Sequence, residues 1–299
     1  MLPHYYDSLC KDFHQQFLEI LQNRKREMIH DLRVNMKQQV AFFHLLEHLD
    51  PSFSAKAALQ SFGDLYHLAG QVRDLQVEKK VVRHRLRPEM YFLSWLKEQE
   101  KEERGKLQTF ELEHTLIPIR DLEHDIRRRI NHLDSKIFNQ CLQSYFDALL
   151  NKIRDALAEN DRLQRLHYMR KRTKELFYNL LLLESFFPGF RIKKKLLKKL
   201  NKVQEMLGQW HDLDFTWQRL AADPAWCPPK VRRKLEKDLG AITEDTLVRI
   251  EELPPLVDLL QAQIDAIIQS DRELTKTPPP SPPPPMESFE QVNLEEDIR

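Results

Sequence analysis

"HYMRKRTK", residues 167–174, sets a histidine, an arginine and a lysine at offsets of zero, three and seven. "HDLRVNMK", residues 30–37, has the same three side chains at the same offsets, 137 positions earlier. Each phrase is followed by a second shared one. "GQVRDLQV" (70–77) begins forty residues after His30, and "GQWHDLDF" (208–215) begins forty-one after His167. Two linked phrases recurring at offsets of 137 and 138 read as an internal duplication. The expected halves are residues 1–140 and 141–274.

The surrounding composition is helical. Six of the 299 residues are glycine, while Leu, Glu, Lys, Arg and Gln are abundant; such a mixture favours helices and disfavours sheets. Apolar residues recur at three- and four-residue spacing, so the fold class is all-α. Punctuation at "LDPSF" (49), "LRPEM" (86), "IPIRD" (117), "FPGF" (187), "DPAWCPP" (223) and "LPP" (253) divides the chain into eight or nine helices. From Thr275 the chain reads "TKTPPPSPPPPMESFEQVNLEEDIR", without periodicity and rich in proline. A disordered, weakly acidic tail over 275–299 is expected there.

At 100° per residue, His30, Arg33 and Lys37 lie within roughly 60° of one helix face. His167, Arg170, Lys171 and Lys174 span roughly 100° by the same geometry. Each repeat therefore offers a cationic stripe opposite an apolar one: Leu32, Met36, Ala41 and Phe43 in the first, Met169, Leu176, Leu180 and Leu181 in the second. The glycine phrases read differently. A mid-helix glycine costs about 1 kcal/mol against alanine, which points to close approach of another helix at Gly70 and Gly208. Asp74 and Asp212 follow one turn later, placed to accept hydrogen bonds from a neighbouring Arg or His. These phrases are expected to be architectural.

The formal net charge of +1 conceals a segregation. Residues 161–204 hold thirteen Lys or Arg against three Asp or Glu, a local charge of +10, and the rest of the chain carries −9. A concentrated positive region is the footprint of a polyanionic partner. The longest apolar stretch, "LFYNLLLLESFFPGF", is interrupted by Asn179, Glu184 and Pro188, so no membrane helix is expected. No secretory leader is recognised, and the three cysteines lack paired spacing; a reduced, cytoplasmic setting is the expectation.

Catalytic motifs were sought and not found. "ELEH" (111–114) and "DLEH" (121–124) place acids three residues before His114 and His124. A carboxylate-bridged metal pair in a bundle needs two true Glu-x-x-His pairs and two further glutamates, so neither a metal nor a cofactor is expected. Gly-rich phosphate loops, nucleophile elbows and HExxH are absent from the sequence, and the chain is expected not to be an enzyme.

The twofold occurrence of His, Arg at +3 and Lys at +7, each followed by Gly-x-x-[Arg/His]-Asp, resembles the CHAD family, the conserved histidine α-helical domain. The resemblance spans about residues 5–270. It implies two four-helix bundles related by a pseudo-twofold axis, with basic residues of both halves lining a central cavity that binds inorganic polyphosphate without catalysis. Some members carry a fused triphosphate-processing tunnel domain, of which the sequence shows no trace. The residues carried over are His30, Arg33, Lys37, His167, Arg170, Lys171, Lys174 and Tyr178. The basic run "RIKKKLLKKLNK" matches the family's habit of adding cations on an adjacent helix, with Arg191, Lys195, Lys198, Lys199 and Lys202 as further ligand candidates. The chain departs from the pattern at Gln38, Gln39 and Val40, where the family continues with arginine, and at Phe177. These departures imply a smaller contribution from the first half. Polyphosphate is thus the expected partner, with cytoplasmic granules as one setting; sequence-independent nucleic-acid binding and a scaffold role are the alternatives.

Overall fold

The computed structural model describes residues 2–22, 28–85, 90–109, 112–133, 135–186, 191–222 and 229–274. Among these residues the chain is all-α, with eleven helices. They are α1 (Leu2–Leu21), α2 (Met28–Leu49), α3 (Ala55–Gln60), α4 (Gly63–Arg85), α5 (Met90–Gln108), α6 (Leu112–Asn131), α7 (Ser135–Leu157), α8 (Arg162–Phe186), α9 (Lys194–Ala222), α10 (Pro229–Ile250) and α11 (Pro254–Leu274).

The expected eight or nine helices fell short for two physical reasons. Short polar breaks without a Pro–Gly signature were passed over. α3 gives way at Ser61, whose amide donates to the Ala58 carbonyl at 3.2 Å, and Asp161 caps α8, accepting from the Gln164 amide at 2.8 Å. In the other direction, Pro118 lies inside α6 and does not end it. A proline near a helix start removes one backbone bond, and the burial of Ile119, Ile126 and Ile130 holds the helix in place. The expected breaks at 49 and 253 separate helices, with Pro254 the first residue of α11 and Pro229 the first of α10; residues 86–89, 187–190 and 223–228, on which the other expected breaks fall, lie outside the described residues. Residue 140 lies within α7, so the expected boundary between repeats is not a break in the helix. The tail from Thr275 lies outside the described residues.

The two cation-bearing helices, α2 and α8, pack against each other, and the two glycine-phrase helices, α4 and α9, do likewise. α2 also packs on α4, and α8 on α9, so the four form a ring of neighbours. The apolar stripes face inward: Leu32, Met36, Ala41 and Phe43 on α2, and Met169, Leu176 and Leu180 on α8, are buried, while Leu181 is half-buried. They join a large core that draws residues from α1 through α11. A second cluster, Leu75, Val82, Leu96, Leu213, Leu220 and Leu235, closes the far end of α4, α5, α9 and α10. Val72 and Trp210 belong to the large core and Leu75 and Leu213 to the smaller one. The residues between them, Arg73–Asp74 and His211–Asp212, therefore sit where the two cores part.

Buried polar groups tie the ring together. The Tyr145 hydroxyl of α7 donates to Asn179 Oδ1 of α8 at 3.1 Å, and Trp210 Nε1 of α9 donates to Thr243 Oγ1 of α10 at 3.1 Å. Glu78 of α4 is fully buried and meets Arg219 of α9 at 2.8 Å. Burial pushes its carboxyl up to about 7, with Arg219 acting against the rise and Asp74 adding to it.

Candidate functional site

α2 brings Arg33 and Lys37, and α8 brings Arg170 and Lys174, to one half-buried cluster. Lys37 is pushed down to about 7, chiefly by burial and then by the positive charges of Lys174, Arg33, Arg170 and Arg73. Lys174 is pushed down to about 8, again by burial first, then by Arg170 and Arg33, with Asp212 resisting. Both shifts have the causes that disfavour an ammonium: lost water and like charge. Four cations from two repeats thus meet with too little counter-charge at neutral pH.

The arginines are anchored in different ways. Arg33 Nη1 donates to the Tyr66 carbonyl at 3.1 Å, and its guanidinium lies 5.0 Å from the centre of the Tyr66 ring. A Cβ on Gly70 would stand 2.7 Å from the same Nη1. The expected close approach at Gly70 is therefore made by the Arg33 side chain. At Gly208 a Cβ would meet nothing within 4 Å, so that expectation fails in the second repeat. Arg170 is held electrostatically: burial pulls its titration down, opposed by Asp212, then Asp74 and Tyr66, with Arg33 adding to the fall. The Nε of both Arg33 and Arg170 is buried without a hydrogen-bond partner among the described residues.

The glycine phrases do more than shape the helices. Arg73 lies in the field of Asp212, Arg33 and Asp74, and burial lowers its titration. Asp74 is exposed yet raised by desolvation, an effect opposed by Arg33, His211 and Lys37 and augmented by Asp212. In the sequence Asp74 and Asp212 read as partners for a neighbouring Arg or His, whereas Arg73 and His211 are passed over. The signal was present, because they occupy matched offsets in the two phrases. Tyr66, which carries Arg33, stands outside either phrase, and nothing in the sequence marks it.

His30 and His167 precede Arg33 and Arg170 by three residues, and both are exposed. Desolvation lowers both below the usual imidazole range; Arg73 adds to the fall at His30, whereas Asp214, 3.7 Å from His167 Nε2, partly offsets it. The His167 ring also meets Trp210 edge-on at 4.8 Å. Tyr178 is half-buried beside Tyr66, and burial raises its hydroxyl. Lys171 is exposed at the edge of its stripe.

The α9 candidates stand apart from this arrangement. Lys195, Lys198, Lys199 and Lys202 are exposed on the first turns of α9, and Arg191 is exposed before it, with Glu184 at 3.9 Å from its Nη1. The charges that act on Lys37 and Lys174 are those of α2, α4, α8 and Asp212. Of the residues considered for a metal, the side chains of Glu111 and His114 lie outside the described set. His124 is exposed, and the described residues hold no group of three or more metal-ligating side chains.

A family model described as CHAD domain matches residues 8–221, taking in both pairs of phrases. The chain belongs to the CHAD-domain family. A solved structure, the crystal structure of the CHAD domain from the plant Ricinus communis, has the same fold: TM-score 0.61 at 18% identity, over 89% of this chain and 90% of that one. No curated protein matches the chain. The CHAD match stops at Ala221, short of the expected 270, so α10 and α11 lie beyond it while the structural likeness covers most of the chain. No helix among the described residues is long and apolar enough to cross a membrane.

Proposed function

We propose that this CHAD domain binds inorganic polyphosphate, without turning it over, at the cluster formed by Arg33, Lys37, Arg170 and Lys174. The observation that carries the reading is the gathering of four half-buried cations, Arg33 and Lys37 from α2 and Arg170 and Lys174 from α8, where burial first and the neighbouring positive charges second lower both lysines. A polyanion supplies the missing charge. Exposed ion pairs are worth only about 0–1 kcal/mol each, but cations gathered in a partly desolvated recess act together and release counterions on binding. His30, Asp74 and His167 touch water and yet are desolvated, as groups lining a recess would be. Arg33 and Arg170 suit bidentate contact with phosphate oxygens, and the lysines act as point charges. None of these contacts reads a sequence, which suits a homopolymer.

A binding titration with long-chain polyphosphate tests the reading. Wild type should bind with steep salt dependence, and Arg170→Glu/Lys171→Glu/Lys174→Glu should lose roughly 100-fold, about 2.7 kcal/mol. Equal affinity of the two proteins would overturn the site. RNA serves as competitor: displacement of polyphosphate by RNA at lower concentration than the reverse would reassign the partner to nucleic acid. Phosphate release in the presence of a divalent metal would overturn the non-catalytic reading.

A further inference from the structure

The first residues of α2, the outer half of α4 and Glu100 of α5 enclose an open cleft of about 410 Å³, lined by His30, Asp31, Arg73, Gln76, Lys79, Lys80, Arg83, His84 and Glu100. Four fixed cations face two carboxylates there, and two histidines can add charge. Glu100 is already committed: it pairs with Lys79 and accepts from Gln76 Nε2 at 3.2 Å. Lys80 and Arg83 are exposed and have no carboxylate within ion-pair distance among the described residues. Among the described residues Arg83 shares this with Arg33, Arg73 and Arg170 of the central cluster, whereas Arg127, Arg128, Arg129, Arg154, Arg162 and Arg249 all meet a carboxylate.

The cleft is not separate from the central cluster. His30 and Arg73 line it, and Arg73 is also one of the charges acting on Lys37. From Arg73 the cleft follows α4: Arg73, Gln76, Lys80, Arg83 and His84 fall within roughly 100° of one face, and Arg83 lies about 15 Å along the axis from Arg73.

We propose that this α4 cleft is a second phosphate-binding segment, which takes the continuation of a long polyphosphate chain past Arg73 to Lys80, Arg83 and His84. The inference rests on the central site proposed above. It makes affinity depend on chain length: a short oligomer fills the cluster alone, and a long one gains the cleft.

The experiment compares tripolyphosphate with long-chain polyphosphate on wild type and on Lys80→Glu/Arg83→Glu, at 150 mM salt to confine electrostatics to about 8 Å. Circular-dichroism melts of both proteins establish that the variant folds, and both exchanged positions are exposed. The expected result is a loss of tenfold or more for the long chain, a change within about twofold for tripolyphosphate, and a salt slope for the long chain that is shallower by one to two. Equal long-chain affinity in the two proteins overturns the cleft and leaves the central site standing. Equal loss for both ligands also overturns it, since the cleft would then not be a separate segment. Failure of wild type to bind either ligand removes the central site, a result distinct from the other two. A variant too unstable to fold is replaced by Lys80→Gln/Arg83→Gln, for which a loss of about threefold confined to the long chain is expected, and no loss overturns the cleft.

Discussion

The α2–α4 side and the α8–α9 side of the cluster are written with the same phrases and use them differently. On the first side, Arg33 is pressed over Gly70 and bonded to Tyr66, so its guanidinium has a fixed seat. On the second, Gly208 faces open space, and Arg170 is steadied by Asp212 and Asp74 through charge. His30 has a cation, Arg73, as its strongest charged neighbour, whereas His167 has Asp214, Trp210 and His211 around it. A repeated motif therefore preserves the kind of side chain at the site more faithfully than the way each is held. Gln39, one of the departures from the family pattern, is buried and donates to Asn35 Oδ1 at 2.8 Å, so that position faces the core.

The two lysines offer the strongest way to break the comparison. Lys37→Glu and Lys174→Glu should each weaken polyphosphate binding by roughly 20-fold, less than the triple charge reversal, and the pH profile should separate them. In the free protein Lys37 titrates at about 7 and Lys174 at about 8. A bound polyanion favours the charged forms, so binding takes up protons and affinity falls as pH rises from 6 to 9. Where one lysine is half or more deprotonated, the fall approaches tenfold per pH unit. Lys37→Ala should move the onset of this fall upward towards pH 8, while Lys174→Ala should move it only slightly above 7, because it removes one of the charges that depress Lys37. Titrations in matched salt at four pH values decide the matter; a flat wild-type profile would remove both lysines from the binding step.

Gly70 and Gly208 give the next largest contrast. Alanine at 70 must displace Arg33 Nη1 from its 2.7 Å approach and with it the bond to Tyr66. Affinity should fall by up to about tenfold, with stability near wild type, because the gain in helix propensity of about 1 kcal/mol offsets the lost contact. Alanine at 208 meets nothing. It should keep wild-type affinity and raise stability by about 1 kcal/mol, or roughly 2–4 °C in Tm. Paired melts and titrations check both, and identical behaviour of the two variants would show that Arg33 has no seat to lose.

What the sequence disclosed follows from these cases. The all-α class was legible because helical periodicity and glycine poverty are local properties, and Leu32, Met36, Met169 and Leu176 face inward as their spacing required. Arg33, Lys37, Arg170 and Lys174 were legible because a helix stripe is a one-dimensional pattern written twice. Which other charges act on those four was not, since that depends on how α4 and α9 pack against α2 and α8. Arg73 looked like part of a scaffold phrase, while the conspicuous lysines of α9 project from its exposed face. Tyr66 could not be found from sequence, because its part in the site is a carbonyl and a ring met by a side chain thirty-three residues away.

Removing the charge of Lys37 altogether should reveal its cost to the fold. A base whose native titration is lowered binds fewer protons folded than unfolded, so stability rises with pH from about 7 towards the ordinary lysine value. Lys37→Met should therefore raise the Tm of the unliganded protein at pH 7, by about 1 kcal/mol in stability, and flatten its rise towards pH 9. Saturating polyphosphate should reverse the ranking, since only wild type gains the ligand's stabilisation. A variant less stable than wild type without ligand would mean that Lys37 is already satisfied.

The histidines give the smallest and most discriminating effect. Desolvation leaves both mostly neutral at pH 7 in the free protein, and a polyanion would draw protons onto them only at lower pH. Asp214 favours the charged form of His167, whereas Arg73 opposes it at His30. His167→Gln should accordingly cost about threefold in affinity at pH 6 and little at pH 8, and His30→Gln should cost less at either pH. Titrations at pH 6 and pH 8 on the two variants measure this. A larger loss at His30, or an equal loss at both pH values, would show that these rings serve helix packing and that proton uptake belongs to the lysines alone.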